Sequence, residues 1–326
     1  MIIEKYKLPN LETFVQDLEK LITESKNKVE ELLKVEVKTY SSFYTPYSLI
    51  FNKISQLRFS LAHLMSVNSS DELVELNKEI IPIVADFSAS LSQNDDIYNA
   101  YKEVLESSLD NQQRKQVLDS LLSMELSGIG KSEEIKNRLT EINKELANLN
   151  SDFSNNILED VNSFKMSVND EDVVDFSEEE LARNTSSNGK YVFKLQYPSY
   201  ISYMTYGNNR DKRRELHEAW VNRGKNNLPI IEKMLELKQE RAKLLGYSDY
   251  TELSLLFKTA ESSEQVTDFL NSIAKNDEVI KLRDEERNEL YNFALTKGFE
   301  GEDLSEYDIA YYMNKHKVEK YSYDQE

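Results

Sequence analysis

Six apolar residues recur at alternating spacings of four and three, and this repeat constrains the fold more than any other feature of the chain. They are Ile135, Leu139, Ile142, Leu146, Leu149 and Phe153. This spacing places all six on one face of an α-helix. The stripe covers only about three heptads and its flanking charges pair poorly, so we favour one long helix packed antiparallel to a neighbour in the same chain. An intermolecular coiled coil is the alternative.

The scarcity of helix breakers extends this prediction to most of the chain. Only 8 glycines and 5 prolines occur in 326 residues, which favours long helices over many short strands. The one strand pattern is "KYVFKLQYPSY", where Tyr191, Phe193 and Leu195 alternate with other residues. Pro198 limits this strand to a sheet edge, and "YISYM" is its expected hairpin partner. The predicted class is all-α, an elongated multi-helix lobe with one small β-hairpin.

The chain reads as a single helical lobe with three segments. Residues 1–126 are expected to form a helical bundle, residues 127–186 a long helix and an acidic loop, and residues 187–326 the hairpin and further helices. Near the N-terminus, Asn10 is a candidate cap for the first helix. Pro82 is expected to interrupt the third helix.

Charge and composition exclude several classes of partner. The formal charge of −19 repels phosphate backbones and anionic membranes, so no nucleic-acid or membrane partner is expected. No apolar run approaches the roughly 18–20 residues that cross a bilayer, and the N-terminus lacks the apolar stretch of a signal peptide. The chain has no cysteine, which excludes thiolate metal sites and cysteine nucleophiles. A cytoplasmic location is expected.

The stretch "LHEAWVNRG" begins like the H-E-x-x-H helix of zinc peptidases. That motif needs two histidines at i and i+4 to bind the metal, and a glutamate at i+1 as general base. His217 and Glu218 match two of these positions, but Val221 stands where the second histidine belongs. The remaining histidines, His63 and His316, lie on separate predicted helices. We therefore interpret His217 as an ordinary surface or half-buried residue.

Two further motifs have simpler structural explanations. "GIGKS" resembles the end of a phosphate-binding loop, but Glu125 occupies the position of its first glycine and the preceding segment is helical. We interpret it as a helix-to-helix turn in which Ser132 caps the long helix. "RDKRRE", Arg210 to Glu215, could contact a carboxylate or a peptide C-terminus. We favour a solvated helix face.

Tyrosines cluster near the end of the sequence. Ile309, Tyr312, Met313 and His316 are predicted to share one helix face. Further tyrosines lie nearby: Tyr311, Tyr321 and Tyr323. A tyrosine hydroxyl can stabilise an oxyanion, but we favour amphipathic packing with the hydroxyls at the rim. From the residues alone, no catalytic or metal-ligating set is complete, and substrate-binding residues stay unassigned.

Three stretches resemble the thimet oligopeptidase and oligopeptidase A family. "IIEKMLELKQERAKLLGYSDYTELSL" is similar to a family helix that ends in an L-L-G-Y/F turn. "YDIAYYMNKHKVEKYSYDQE" is similar to a segment with a tryptophan or similar residue, Asp, then Tyr-Tyr. "YVFKLQYPSYISYM", followed by "RRELHEAWVNRG", resembles the family's single hairpin and next helix. The order and spacing of the pieces also match.

The resemblance implies a zinc metallopeptidase that cuts short peptides in a deep channel between two largely helical lobes. Its H-E-x-x-H helix and third ligand, a glutamate, lie downstream of the Tyr-Tyr segment, and this chain ends before them. The chain is therefore expected to be the N-terminal, non-catalytic lobe of a zinc-dependent parent. It would form one wall of the channel, with no catalytic or metal residue and no zinc of its own.

The absence of a catalytic lobe would have consequences for the partners of this chain. Surface normally covered by that lobe would be exposed, so self-association is expected. The alternative function is a non-enzymatic helical module that binds peptides or another partner.

Overall fold

A computed structural model describes residues 9–68, 70–185 and 189–322. The structure is 75% helical, which confirms the all-α prediction. The α-helices are α1 (Phe14–Leu33), α2 (Thr45–Ile50), α3 (Asn52–Val67), α4 (Asp71–Ser92), α5 (Asp95–Glu106), α6 (Asn111–Glu125), α7 (Glu133–Ser163), α8 (Glu178–Arg183), α9 (Tyr197–Tyr206), α10 (Arg210–Val221), α11 (Leu228–Leu245), α12 (Tyr250–Leu255), α13 (Ser263–Ala274), α14 (Asp277–Thr296) and α15 (Glu306–Tyr321).

Short elements of other types complete the described structure. Tyr40–Tyr44 forms a π-helical turn, and Asp170–Asp172 and Lys225–Asn227 form 3-10 turns. Two strands, β1 (Met166–Val168) and β2 (Tyr191–Phe193), pair in an antiparallel sheet. No described helix is both long enough and apolar enough to cross a membrane.

The chain divides into two compact units. The first comprises the described residues of Met1–Lys144 together with Arg241–Ser248. It contains two clusters of buried apolar side chains. One joins α1, α5, α6 and the π-helical turn through Val29, Phe43, Ile97, Val104 and Val117. The other joins α1, α3 and α4 through Phe14, Leu18, Leu61, Ile80 and Phe87.

The second unit comprises Glu145–Glu240 and the described residues of Asp249–Glu326. One of its apolar clusters covers the small sheet with α9 and α10, through Met166, Phe193, Tyr203 and Leu216. Another joins α14 to α15 through Leu290, Ala294, Phe299 and Tyr312.

Two predicted helix boundaries near the N-terminus are wrong for local reasons. Asn10 accepts a hydrogen bond from the amide of Glu12 at 3.1 Å, but α1 begins only at Phe14. Pro82 lies inside a continuous α4 rather than ending it. Proline inside a helix costs about 3 kcal/mol, and burial of an Ile or Val side chain returns about 1.5–3 kcal/mol. Because Ile80 and Val84 are both buried on α4, the helix continues.

The predicted partner of the strand at Tyr191–Phe193 is also wrong. "YISYM" lies within α9, and the sheet instead pairs Met166 with Phe193 and Val168 with Tyr191. Pro198 falls in the first turn of α9, where a missing amide proton costs nothing. β1 has a buried-exposed-buried pattern, which suits a strand with one covered face.

The long helix predicted from the apolar repeat is α7. Its repeat residues Leu139, Ile142 and Leu146 are buried. α11 runs antiparallel to it, as an ion pair joins Glu145 to Lys233 at 3.6 Å. In the same unit, the side chain of Asn156, later in α7, donates to Asn227, just before α11, at 2.8 Å, so the two helices run in opposite directions. This agrees with the favoured interpretation of a helix packed against its own chain.

Two leucines of α7 test the importance of this buried stripe. Leu139 is 2% exposed and Leu158 is 56% exposed. We expect Leu139→Ala to lower the free energy of unfolding by about 2–5 kcal/mol, because it leaves a cavity in packed surroundings. Leu158→Ala removes the same atoms from the same helix and should change it by no more than about 0.5 kcal/mol. Urea unfolding followed by circular dichroism measures both changes. Equal losses would contradict the importance of the buried stripe for stability.

Candidate functional site: the ion-pair cluster of α10 and α15

Several of the functional candidates in the sequence lie on α10 and α15, which meet around the carboxylate of Asp308. This side chain is fully buried. Arg210 donates from Nε at 3.0 Å and from Nη2 at 2.8 Å, so it grips both carboxylate oxygens. Arg213 donates from Nη2 at 3.1 Å, and the amide of Ser305 donates at 3.1 Å. The carboxylate therefore has a donor on each oxygen and no contact with solvent.

Arg213 is the second buried member of this cluster. Its Nε donates to the carbonyl of Tyr307 at 2.9 Å, and its Nη1 donates to the carbonyl of Gly207 at 2.7 Å. The guanidinium carbon also lies 4.1 Å from the ring centre of Tyr311, a cation-π distance. One arginine thus connects the end of α9, the middle of α10 and the first turns of α15.

Hydrogen bonding keeps Asp308 ionised despite its burial. Burial by itself raises the pKa of this carboxyl. Hydrogen bonds from Arg210, from the Ser305 amide and from Arg213 outweigh burial and hold the pKa below its usual value. A carboxylate held in this way is poorly suited to act as a general base, because its lone pairs already accept hydrogen bonds from the protein.

Glycine at position 207 is required by close packing. A Cβ there would lie 2.6 Å from the carbonyl oxygen of Tyr203 and 2.7 Å from its ring. No larger residue could occupy the site without moving α9, and the Gly207 carbonyl is the acceptor for Arg213.

The His217 imidazole forms its hydrogen bond outside the cluster around Asp308. Its Nδ1 lies 3.1 Å from the hydroxyl of Tyr200, in a hydrogen bond whose direction depends on the imidazole tautomer. Burial raises the pKa of Tyr200, so the phenol keeps its proton. Val221 is 59% exposed, and Glu218 is also exposed. The first two letters of the peptidase motif are therefore present without a metal-binding geometry around them.

The three histidines lie on three different helices. His63 lies on α3 in the first unit and His217 on α10. His316 on α15 has its Nε2 at 3.2 Å from Glu289 and its ring near Phe293. Among the described residues, no group of three or more His, Asp or Glu side chains is placed to hold a metal ion. The residues described here do not fit a metal centre.

The "GIGKS" stretch forms the turn between α6 and α7. Gly128 has a φ of +96° and Gly130 a φ of +73°, the left-handed region that favours glycine. A Cβ on Gly128 would also lie 2.8 Å from Leu139. The Lys131 ammonium donates to a backbone carbonyl. These contacts agree with a helix-to-helix turn.

The stretch "RDKRRE", Arg210 to Glu215, was predicted to be a solvated helix face, and this prediction is only partly correct. Lys212 pairs with Glu215 at 2.7 Å and Arg214 with Asp211 at 3.2 Å, as expected of exposed intrahelical pairs. Arg213, in contrast, is 1% exposed. Its position three residues before Leu216 places it on the apolar face of α10, and this spacing could have indicated its burial. A pattern that counts only hydrophobic residues cannot include an arginine.

The buried face of α15 differs from the predicted face, again because a charged residue, Asp308, is buried. The buried positions of α15 are Asp308, Tyr311 and Tyr312, whereas Met313 is 46% exposed. Tyr312 packs edge-on to Phe299, and burial raises its pKa. Tyr321 is exposed. Tyr323 lies outside the described residues.

Comparison with known proteins identifies the class. Residues 18–136 match the family model described as "Neurolysin/Thimet oligopeptidase, N-terminal domain". Residues 203–326 match the model of "Peptidase family M3", a family of metallopeptidases. The chain belongs to peptidase family M3, in its oligopeptidase A and thimet oligopeptidase branch.

Particular relatives are similar over nearly all of this chain. Oligopeptidase A of Haemophilus influenzae is 35% identical, across 95% of this chain and 48% of the relative. Oligopeptidase A of Escherichia coli is 31% identical, across 88% of this chain and 45% of the relative. The solved structure of PZ peptidase A with inhibitor 2 has a TM-score of 0.55 at 16% identity, covering 95% of this chain and 48% of that one. It shows a shared fold. The chain spans about half the length of these relatives.

Replacement of Asp308 tests the ion-pair cluster. Asp308→Asn keeps the size of the side chain but leaves the buried Arg213 without a counter-charge, so we expect a loss of about 3–5 kcal/mol in unfolding free energy. Asp211→Asn breaks a surface pair, where Asp211 is 83% exposed, and should cost no more than about 1 kcal/mol. Chemical unfolding near neutral pH compares the two, and similar losses would contradict a structural role for Asp308.

The depressed pKa of Asp308 also predicts a dependence on pH. An unfolded Asp titrates near about 3.9, above its folded value, so the stabilisation is complete above that pH and is lost as the pH falls through the folded pKa. The stability difference between wild type and Asp308→Asn should therefore be constant from about pH 7 to about pH 5 and shrink below about pH 4. A gap that widens on acidification would be inconsistent with an ionised Asp308.

Proposed function

We propose that this chain is a non-catalytic portion of a zinc-dependent oligopeptidase that hydrolyses short peptides. The observation that carries the proposal is similarity to oligopeptidase A over 95% of this chain and only 48% of the relative. The position of Val221 supports it, because the helix that begins like H-E-x-x-H lacks its second ligand. A cytoplasmic location is part of the proposal.

The chemistry of the parent would then reside in residues outside this chain. In such a peptidase, a metal ion activates water for attack on a peptide carbonyl. The described residues supply no metal site, so none of the steps at the scissile bond is assigned to them. Their role is to form one wall of a substrate channel that excludes folded proteins and orients extended peptides.

A channel wall must keep its shape when a substrate binds, and the ion-pair cluster supports this role. Arg213 and Asp308 connect segments that are 95 residues apart in sequence. Because their hydrogen bonds are satisfied by the protein, the cluster resists rearrangement more than an exposed ion pair would. Its contribution to peptide hydrolysis would be indirect, through the positions of α9, α10 and α15.

Peptidase assays on the purified chain test the absence of catalysis. With a short internally quenched peptide, we expect no turnover with or without added zinc, because His217 has no second imidazole to share a metal. Oligopeptidase A of Escherichia coli in the same buffer is the positive control. Turnover that needs zinc and disappears in Glu218→Gln would overturn the proposal. Turnover that persists in Glu218→Gln but separates from the chain on further purification comes from a contaminating peptidase, whereas turnover that co-purifies with the chain would also overturn the proposal.

The reading frame beyond the codon for Glu326 tests the parent activity. We expect it to continue to an H-E-x-x-H motif, and the longer product to cleave short peptides. A chelator should abolish this cleavage and zinc should restore it. A stop codon directly after Glu326, together with a folded product that binds peptides, would instead establish the non-enzymatic binding module.

A further inference from the structure

α13 carries an apolar stripe that is largely exposed in the described chain. The stripe consists of Val266, Phe269, Leu270 and Ile273, at the spacing of one helix face. Phe269 is 63% exposed, Leu270 58% and Ile273 49%. None of the residues in Ser263–Ala274 is buried. An apolar face of this kind is expected to be covered by a partner.

The adjoining half of α14 shares this exposure. Val279 is 48% exposed and Leu282 is 52% exposed, and the first buried residue of the helix is Leu290. From Leu290 onward α14 packs firmly on α15. The second half of α14 is therefore packed, whereas α13 and the first half of α14 leave most of their apolar side chains exposed.

Local hydrogen bonds define where α13 and α14 begin. The Ser262 side chain accepts from the amide of Gln265 at 3.1 Å and begins α13. Asn276 accepts from the amides of Glu278 and Val279 and begins α14. Caps define where a helix begins, but a helix of 12 residues is marginal in water unless an apolar face is packed. Covering the stripe would therefore stabilise α13 as well as the interface.

Charge around the stripe argues against a second copy as the partner. Eight of the eleven charged residues between Glu261 and Glu286 are acidic, and the whole chain carries −19. Two such surfaces would repel each other. A partner with an apolar centre and basic flanks would be attracted instead.

The relatives indicate where such a partner is found. α13 and α14 lie within residues 203–326, which match the model of peptidase family M3. More than half of the length of Haemophilus influenzae oligopeptidase A has no counterpart in this chain. The end of the last described helix, α15, lies beside α14, where Lys320 pairs with Glu289, so additional polypeptide following it would start next to the helix that adjoins α13.

We infer that the α13 stripe is the docking surface for the half of the oligopeptidase that this chain does not include, through an apolar surface flanked by basic residues. The inference rests on the proposed function. It adds the place of contact between the two halves, and it states that α13 becomes fully stable only when that half is present.

Single introduced thiols can test this inference, since the chain has no cysteine. Leu270→Cys places a thiol in the stripe. Leu158→Cys is the matched control, on α7 in the same unit, with 56% exposure against 58% for Leu270. Each variant is made in the 326-residue chain and in the longer product of its reading frame. Maleimide labelling at each position is followed by peptide mass spectrometry, and peptidase activity of the longer product is measured in parallel.

We expect both thiols to react rapidly in the 326-residue chain. In the longer product, the thiol at position 270 should react at least about tenfold more slowly, a protection of about 1.4 kcal/mol, while that at position 158 stays reactive. If an active longer product leaves position 270 reactive, the docking surface is wrong and the proposed function stands. Protection in an inactive longer product supports the docking surface and contradicts the proposed function.

Two other outcomes would overturn the inference. Concentration-dependent protection of position 270 in the 326-residue chain alone, with a dimer in sedimentation velocity, would make a second copy the partner. A reading frame that stops after Glu326 would remove the proposed partner and the proposed function together.

Discussion

The second unit of this protein depends on one buried ion pair, between Arg213 and Asp308. Removing both charges from water is costly, and their attraction compensates only where the remaining hydrogen bonds are also made. Here Arg210, the Ser305 amide and two backbone carbonyls complete the set. The pair therefore determines how α9, α10 and α15 pack, and which face of α15 is buried.

The chemically active residue types of α10 are engaged in contacts within the protein. The basic residues of α10 bind Asp308 or neighbouring carboxylates, and His217 bonds Tyr200. The chain belongs to peptidase family M3, a family of metallopeptidases. In our proposal, the chain shapes one wall of the substrate channel, and the exposed α13 stripe contacts the rest of the peptidase.

Sequence patterns were reliable where the determining interactions are local. The apolar repeat predicted α7, and Ser132, its predicted cap, accepts from the amide of Ile135 and stands directly before the first residue of that helix. The patterns failed at Pro82, where buried neighbours outweigh the local cost of proline. They also failed for the strand at Tyr191–Phe193, whose partner lies before it in the chain rather than after it.

The sequence by itself determined the helical class, the start of α7 after Ser132, and the absence of a second histidine at Val221. Only the tertiary structure decided which polar residues are buried, which strand pairs with β2, and which apolar stripe is left uncovered. The physical reason is the separation in sequence over which each kind of interaction acts. Helix spacing and caps act within about four residues, whereas Arg213 and Asp308 meet across 95 residues. A hydropathy pattern assigns both of these charged side chains to solvent, because the partner that makes burial favourable is far away in sequence.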